Sequence, residues 1–187
     1  MCKEKLKQLH SYVVFLDAKR AYSLLESVAD DEQLFRIYWT TCIALLRTIA
    51  DVVTRVDCEY NDLLRNYWER RKKNLQQLAK QYDDKPFEDC PQDYLFWTRL
   101  FRFERNLILH EYEQGFSDVH SSQFIICSGQ DILDEDNPFS DSDLYRTMED
   151  VDYWGDWDCR DWIQFALCWW EKELENLVGT NNEYTGS

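Results

Sequence analysis

The chain has 187 residues, of which 44% are hydrophobic and 16% aromatic, enough for one domain with a substantial core, and this composition excludes a disordered chain. It contains only five glycines and three prolines. Because β-sandwiches and barrels need many tight turns, this scarcity predicts an all-α fold.

The net charge of −15 is distributed unevenly along the chain. Residues 1–80 carry 14 Lys and Arg against 11 Asp and Glu, whereas residues 81–187 carry 7 against 25. An acidic half of this size repels nucleic acid at long range, which argues against a protein that coats RNA or DNA. It leaves room for a small site that is locally basic.

The seven cysteines predict neither a disulfide framework nor a metal site. Their number is odd, and none of them form a Cys-x-x-Cys pair. The first twenty residues contain only a brief apolar run before charges return, which indicates neither a signal peptide nor a membrane span. We therefore expect a cytoplasmic protein without a membrane association, a metal or another cofactor.

Apolar periodicity predicts an up-and-down helical bundle of about four to five helices. Residues spaced three and four apart indicate a first amphipathic helix over about 4–29, and a basic helix follows at 61–82. Between them, the segment 34–56 is apolar around most of its circumference, which is typical of a helix at the centre of a bundle or in a subunit interface. A further apolar helix runs over 91–115, where Gly115 is a natural terminator, and a last one covers about 158–178.

These segments predict a single domain over 1–178 with a flexible tail at 179–187. Helical periodicity is lost around 116–130, which indicates a short irregular or hairpin insertion. Residues 130–161 carry 12 acids against two arginines. No window in that range has the glycine and glutamate positions of an EF-hand, so it is predicted to be a solvated acidic insertion.

Five of the eight tryptophans lie between positions 154 and 170. One interpretation is that they pack the last helix onto the bundle. The other is that they form a surface that binds a partner, because tryptophan is enriched at interface hot spots.

A dense basic cluster lies on the predicted helix over 61–82, with Tyr67 and Trp68 beside it. A run of charges usually marks a solvated helix face. The alternative is an edge that follows the phosphates of RNA, with an aromatic ring available for stacking. On this second interpretation the candidate RNA-binding residues are Arg70, Arg71, Lys72 and Lys73.

The segment 101–112 places polar side chains with chemical potential among large apolar residues. On a helix, Asn106 and His110 are one turn apart on the same face, and Arg105 and Tyr112 share a neighbouring stripe. Cleaving RNA without a metal requires a base for the 2′-hydroxyl proton and a cation for the charge that grows on the phosphate. His110 suits the first role and Arg105 the second, while Asn106 is placed to orient the imidazole or the phosphate.

The pattern Arg-Asn-x-x-x-His formed by Arg105, Asn106 and His110 resembles the active-site motif of the HEPN superfamily, whose members are often metal-independent ribonucleases of toxin and antiviral systems. The resemblance implies a helical bundle that forms a homodimer, with the motif helices of two subunits facing a shared cleft that binds RNA. Tyr112 is similar to a tyrosine of HEPN toxins that receives AMP from a minimal nucleotidyltransferase antitoxin. Tyr112 is thus a candidate modification site, and a cognate antitoxin or nucleotidyltransferase is an implied partner.

Three functions remain open from the sequence. The leading one is a metal-independent endoribonuclease, for which Glu104 is an auxiliary residue, although this carboxylate could also satisfy His110 in a purely structural role. The second is a non-catalytic, HEPN-like dimeric protein that uses its acidic, Trp-rich C-terminal surface to bind a partner. The third is a mimic of nucleic acid, which would require the acids to lie on one face, whereas they are concentrated in one segment.

Overall fold

The fold of the described chain is an all-α bundle, as predicted, with one two-stranded antiparallel ribbon. In the computed structural model, the described residues are 2–28, 31–83, 85–86, 89–104, 116–120, 144–148 and 158–179.

Six helices and two strands make up this part of the chain. The first three helices are α1 (Cys2–Leu6), α2 (His10–Ser27) and α3 (Glu32–Val52), and α3 continues as a π-helical turn, Val53–Asp57. Next come α4 (Asp62–Gln81) and α5, which begins as Gln92–Tyr94 and continues as a π-helix, Leu95–Glu104. The strands β1 (Phe116–His120) and β2 (Leu144–Met148) precede the last helix, α6 (Cys159–Gly179).

Side-chain caps set the start of two long helices. The Asp31 carboxylate accepts a hydrogen bond from the backbone N–H of Leu34 at 2.9 Å, at the first turn of α3. The Asn61 side-chain oxygen accepts from the N–H groups of Leu63 and Leu64 at the start of α4. Both are residue types that satisfy the unpaired N–H groups of a first helical turn, so these boundaries are encoded locally.

The start of α2 depends on a distant residue instead. Leu9 occupies its N-cap position and offers no side-chain acceptor. The carboxylate of Asp57 accepts from the N–H groups of His10 and Ser11 at 2.8 and 3.0 Å. The single helix predicted over 4–29 is therefore two helices, α1 and α2, and the end of α3 is fastened to the beginning of α2.

The core lies among α2, α3, α5 and α6, with α4 packed along its side. Its largest fully buried side chains are Phe15, Leu25, Phe35, Trp39, Ile43, Leu46, Ile49, Trp68, Tyr94, Phe101 and Trp170. Trp162 and Trp169 of α6 are buried as well. The interpretation that tryptophans pack the last helix onto the bundle is confirmed for Trp162, Trp169 and Trp170. Trp154 and Trp157 lie outside the described residues.

Of the described helices, one is long and apolar enough to cross a membrane by length and composition: Glu32–Asp57, which is α3 with its π-helical turn. In the bundle it presents a buried face that includes Phe35, Trp39 and Ile43, and it packs along α2. A core helix passes the same test as a membrane span, so this property assigns the chain to neither location. The cytoplasmic location stays a prediction.

The two-stranded ribbon pairs the insertion predicted around 116–130 with the acidic insertion predicted over 130–161, which the sequence predicts as separate features. Strand β1 begins where the hairpin insertion was predicted, and it pairs antiparallel with β2 so that Phe116 lies opposite Met148 and His120 opposite Leu144. The second strand therefore lies inside the predicted acidic insertion, beyond residue 130. The segment 121–143 that separates the strands is too long for a tight turn, so no local signal specified this register.

Candidate functional site

The predicted catalytic residues Arg105, Asn106 and His110 lie outside the described residues, as does Tyr112. The backbone of Glu104 is described, as the last residue of the π-helical part of α5. The structure thus describes the helix that leads into the motif, and the roles of the motif residues stay predictions.

The π-helical part of α5 is 10 residues long, whereas most π-helices are single-turn bulges. Such bulges often occur at functional sites. Its hydrogen bonds join residues five apart, and the apolar residues follow that spacing. Leu95 and Leu100 are buried, as are Phe96 and Phe101, whose rings stack with centroids 6.4 Å apart. This five-residue repeat replaces the three- and four-residue stripes expected for an α-helix.

An open cleft of about 550 Å³ lies between α4 and α5. Its α4 wall includes Lys73 and Lys80, which are two helical turns or about 10.5 Å apart along the axis. The opposite wall contributes Arg102, three residues before the predicted catalytic arginine. Asp83, just after α4, is the one carboxylate among the described residues that line the cleft. The cleft is thus locally cationic in a chain whose net charge is negative.

An aromatic side chain and a hydroxyl complete the α5 wall of the cleft. Trp97 is half-buried and fixed by two neighbours: the Arg47 guanidinium lies 5.3 Å from its ring centroid, and the Trp68 ring meets it edge to face at 6.0 Å. The hydroxyl oxygen of Thr98 is buried and has no hydrogen-bond partner among the described residues. A buried polar atom normally has a partner, and this hydroxyl is an exception.

The predicted RNA-binding residue Arg71 does not reach this cleft. Its Nε and Nη2 donate to the two carboxylate oxygens of Glu173 at 2.9 and 2.8 Å. Its Nη1 and Nη2 donate to the carboxylate of Asp93 at 2.8 and 2.6 Å. Trp169 Nε1 donates to the same Asp93 at 2.8 Å. We call these four residues the Arg71 cluster, which ties α4, α5 and α6 together.

Within the Arg71 cluster the ionised forms stabilise one another. Burial lowers the pKa of Arg71, but its hydrogen bonds with Asp93 and Glu173 outweigh that effect and raise it above the usual value. Burial raises the pKa of Asp93, yet the hydrogen bonds from Arg71 and Trp169 leave it below its usual value. Arg71 is therefore a structural cation, already occupied by two carboxylates, and it is not free to bind phosphate.

The other three predicted RNA-binding residues lie in different surroundings. Arg70 is exposed and lines a separate cavity of about 340 Å³ that also includes Glu173. Lys72 Nζ lies 2.6 Å from the Glu69 carboxylate. Lys73 is the one of the four that lines the α4–α5 cleft.

Arg102 was not predicted for this role, and Lys80, which belongs to the basic cluster of α4, was not among the four named RNA-binding candidates. The signal for Lys80 was its spacing of seven residues from Lys73, which places two charges on nearly the same side of a helix. Arg102 was visible as a charge beside the motif, but only the packing of α5 on α4 shows that the two walls meet.

Other catalytic chemistry finds little support in the described part of the chain. It contains no group of three or more His, Cys, Asp and Glu side chains that could hold a metal ion. Burial raises the pKa of Cys42 to about 12 and that of Cys58 to about 11. These two side chains are therefore protonated thiols at neutral pH and poor nucleophiles.

Comparisons of the chain with known protein families, with characterised proteins and with solved structures find no significant match. The resemblance to HEPN domains accordingly rests on the sequence of the motif residues Arg105, Asn106 and His110.

Proposed function

We propose that this protein is a metal-independent endoribonuclease of the HEPN type that cleaves RNA to leave a cyclic phosphate. The observation that carries the proposal is the position of the cleft next to the motif in the chain. Arg102 lines a cationic cleft, and the candidate catalytic residues begin three positions later with Arg105. A helix that leads from a cationic surface into an Arg-Asn-x-x-x-His sequence supports RNA as the substrate.

In the proposed reaction, His110 removes the proton of a 2′-hydroxyl group. The 2′-oxygen then attacks the adjacent phosphorus, the bond from phosphorus to the 5′-oxygen breaks, and that oxygen takes up a proton from water. The hydroxide ion left from that water accepts the proton held by His110, which restores the neutral imidazole. Arg105 stabilises the negative charge that develops on the non-bridging oxygens, and Asn106 orients the imidazole or the phosphate. The products are a 2′,3′-cyclic phosphate and a free 5′-hydroxyl group.

The proposal includes the features that the resemblance implies. The active form is a homodimer in the cytoplasm whose two motif helices face one cleft. Tyr112 is a site where a nucleotidyltransferase attaches AMP, and such an enzyme is the candidate antitoxin.

The test is RNA cleavage by the purified protein in the presence of a metal chelator. We expect wild-type protein to produce cyclic phosphate ends, and His110→Ala and Arg105→Ala to reduce the cleavage rate by about a hundredfold or more. His10→Gln is the matched control, because His10 is 73% exposed at the start of α2. If His110→Ala cleaves RNA as fast as wild type does, the proposal is wrong.

The alternative, a non-catalytic protein with an acidic, Trp-rich binding surface, is less well supported. Trp162, Trp169 and Trp170 are buried in the bundle and do not offer a surface to a partner. This alternative predicts intact RNA with wild-type protein as well as with the variants, so the same assay separates the two functions.

A further inference from the structure

We infer that the α4–α5 cleft binds the single-stranded RNA substrate through its phosphates, with Lys73 and Lys80 on one wall and Arg102 on the other. The inference rests on the proposed function and specifies its substrate class. It is carried by the cleft itself, because each of its three cations lacks a carboxylate partner among the described residues.

Several other cations of α4 form ion pairs within the described chain, unlike Lys73 and Lys80, and this difference affects how strongly each can bind a phosphate. Arg65 pairs with Asp62, Lys72 with Glu69, and Arg71 with two carboxylates. A cation that is already paired gains less from a phosphate, since binding must first displace its partner. Lys73 and Lys80 have no such partner among the described residues, so their full charge acts on the cleft.

The dimensions of the cleft fit a single strand. Lys73 and Lys80 are about 10.5 Å apart along α4. This separation lets the two lysines contact different phosphates of one strand. Double-stranded RNA is contacted over a wide, shallow minor groove, which requires an extended surface instead of a cleft between two helices.

The remaining lining groups suit a strand that is bound without sequence preference. Gln76 and Gln77 lie between the two lysines, and their amides can donate to phosphate or sugar oxygens. Trp97 offers an aromatic contact of the kind on which bases stack irrespective of sequence. Asp83 opposes binding at one end and limits how far the strand extends past Lys80.

The test is the binding of a fluorescent, single-stranded 2′-O-methyl RNA, which cannot be cleaved by attack of its 2′-oxygen. The variant Lys73→Gln with Lys80→Gln should weaken binding by about tenfold and reduce the slope of log affinity against log salt by about 1.4, or about 0.7 for each phosphate that no longer has a lysine beside it. The matched control is Arg20→Gln with Lys172→Gln, which removes the same charge at two exposed positions outside the cleft. The control should change the affinity less than twofold.

Three outcomes would overturn the inference: equal weakening by both double variants, no weakening by the cleft variant, or equal affinity for a duplex of the same sequence. Circular dichroism of each variant verifies that it is folded. Cleavage that depends on His110 but not on Lys73 and Lys80 would reject the cleft and retain the nuclease. Binding that depends on the cleft, in a protein that cleaves no RNA, would support the cleft and reject the nuclease.

Discussion

Arg71 and Lys73 are two residues apart on α4, yet they belong to opposite environments. They are separated by about 200° around the helix axis. Arg71 is 18% exposed and is held by Asp93 and Glu173, whereas Lys73 is exposed and lines an open cationic cleft. A basic cluster that reads as one feature in the sequence is therefore two features in the fold, one structural and one available for binding.

The difference arises from where the carboxylates come from. Glu173 is 102 positions from Arg71 in the chain and Asp93 is 22. They approach only one side of α4 because α6 and the first turn of α5, Gln92–Tyr94, pack there. The other side faces the π-helical part of α5, which supplies Trp97, Thr98 and Arg102 to the cleft. None of the described lining residues from α5 is a carboxylate. A charge run therefore identifies a binding surface only after the partners of each charge are known.

The largest expected effect is on the free energy of unfolding when the Arg71 cluster is disrupted. Arg71→Ala leaves two largely buried carboxylates without their partner, so we expect it to lower the free energy of unfolding by about 3 kcal/mol. Arg70→Ala, at the adjacent exposed position, should change it by less than about 0.5 kcal/mol. Denaturant unfolding followed by tryptophan fluorescence measures both. Equal effects of the two variants would show that the Arg71 cluster does not hold the helices together.

A smaller effect is expected from protonating Asp93, because Arg71 then still keeps Glu173. The pKa of Asp93 is lower in the folded protein than in the unfolded chain, where the pKa of aspartate is about 3.9. Its contribution to stability is therefore complete above the unfolded-state pKa and is lost as the pH falls through the folded-state pKa.

Comparing wild type with Asp93→Asn at neutral and at acidic pH tests this. The difference in their free energies of unfolding should be largest at neutral pH and shrink as the solution becomes acidic. Asp17→Asn, at an exposed position of α2, is the control for removing one negative charge. A difference that stays constant over this pH range would contradict the assignment of an ionised Asp93.

The smallest effect on the free energy of unfolding is expected from the lysines that line the α4–α5 cleft. Lys73→Gln and Lys80→Gln should each change the free energy of unfolding by less than about 0.5 kcal/mol, because neither side chain pairs with a described carboxylate. The same unfolding experiment applies. A loss comparable to that of Arg71→Ala would show that these lysines are structural too, and the contrast between the two sides of α4 would fail.

Local rules predicted much of the bundle. Apolar periodicity located the central helix α3, the basic helix α4 and the last helix, which was expected over about 158–178 and is observed at Cys159–Gly179. These elements carry their own signals: an apolar stripe, and in α3 and α4 a capping side chain at the start. The burial of Trp170 follows from the same pattern.

Non-local interactions decided what the sequence did not predict. The break between α1 and α2 is fixed by Asp57, which is 47 positions from His10. The pairing of β1 with β2 joins strands separated by the segment 121–143, which is too long for a tight turn to set their register. The π-helical course of α5 follows a five-residue repeat that can also be read as an interrupted α-helical stripe.

The sequence by itself determined an all-α chain, the approximate helices and the Arg105, Asn106 and His110 motif, because residue spacing along one segment encodes each of these. Only the tertiary structure decided which positive charges of the described chain are free. Ion pairing depends on groups brought together from distant parts of the chain, and this assigned Arg71 to the interior and placed Lys73, Lys80 and Arg102 around one cleft.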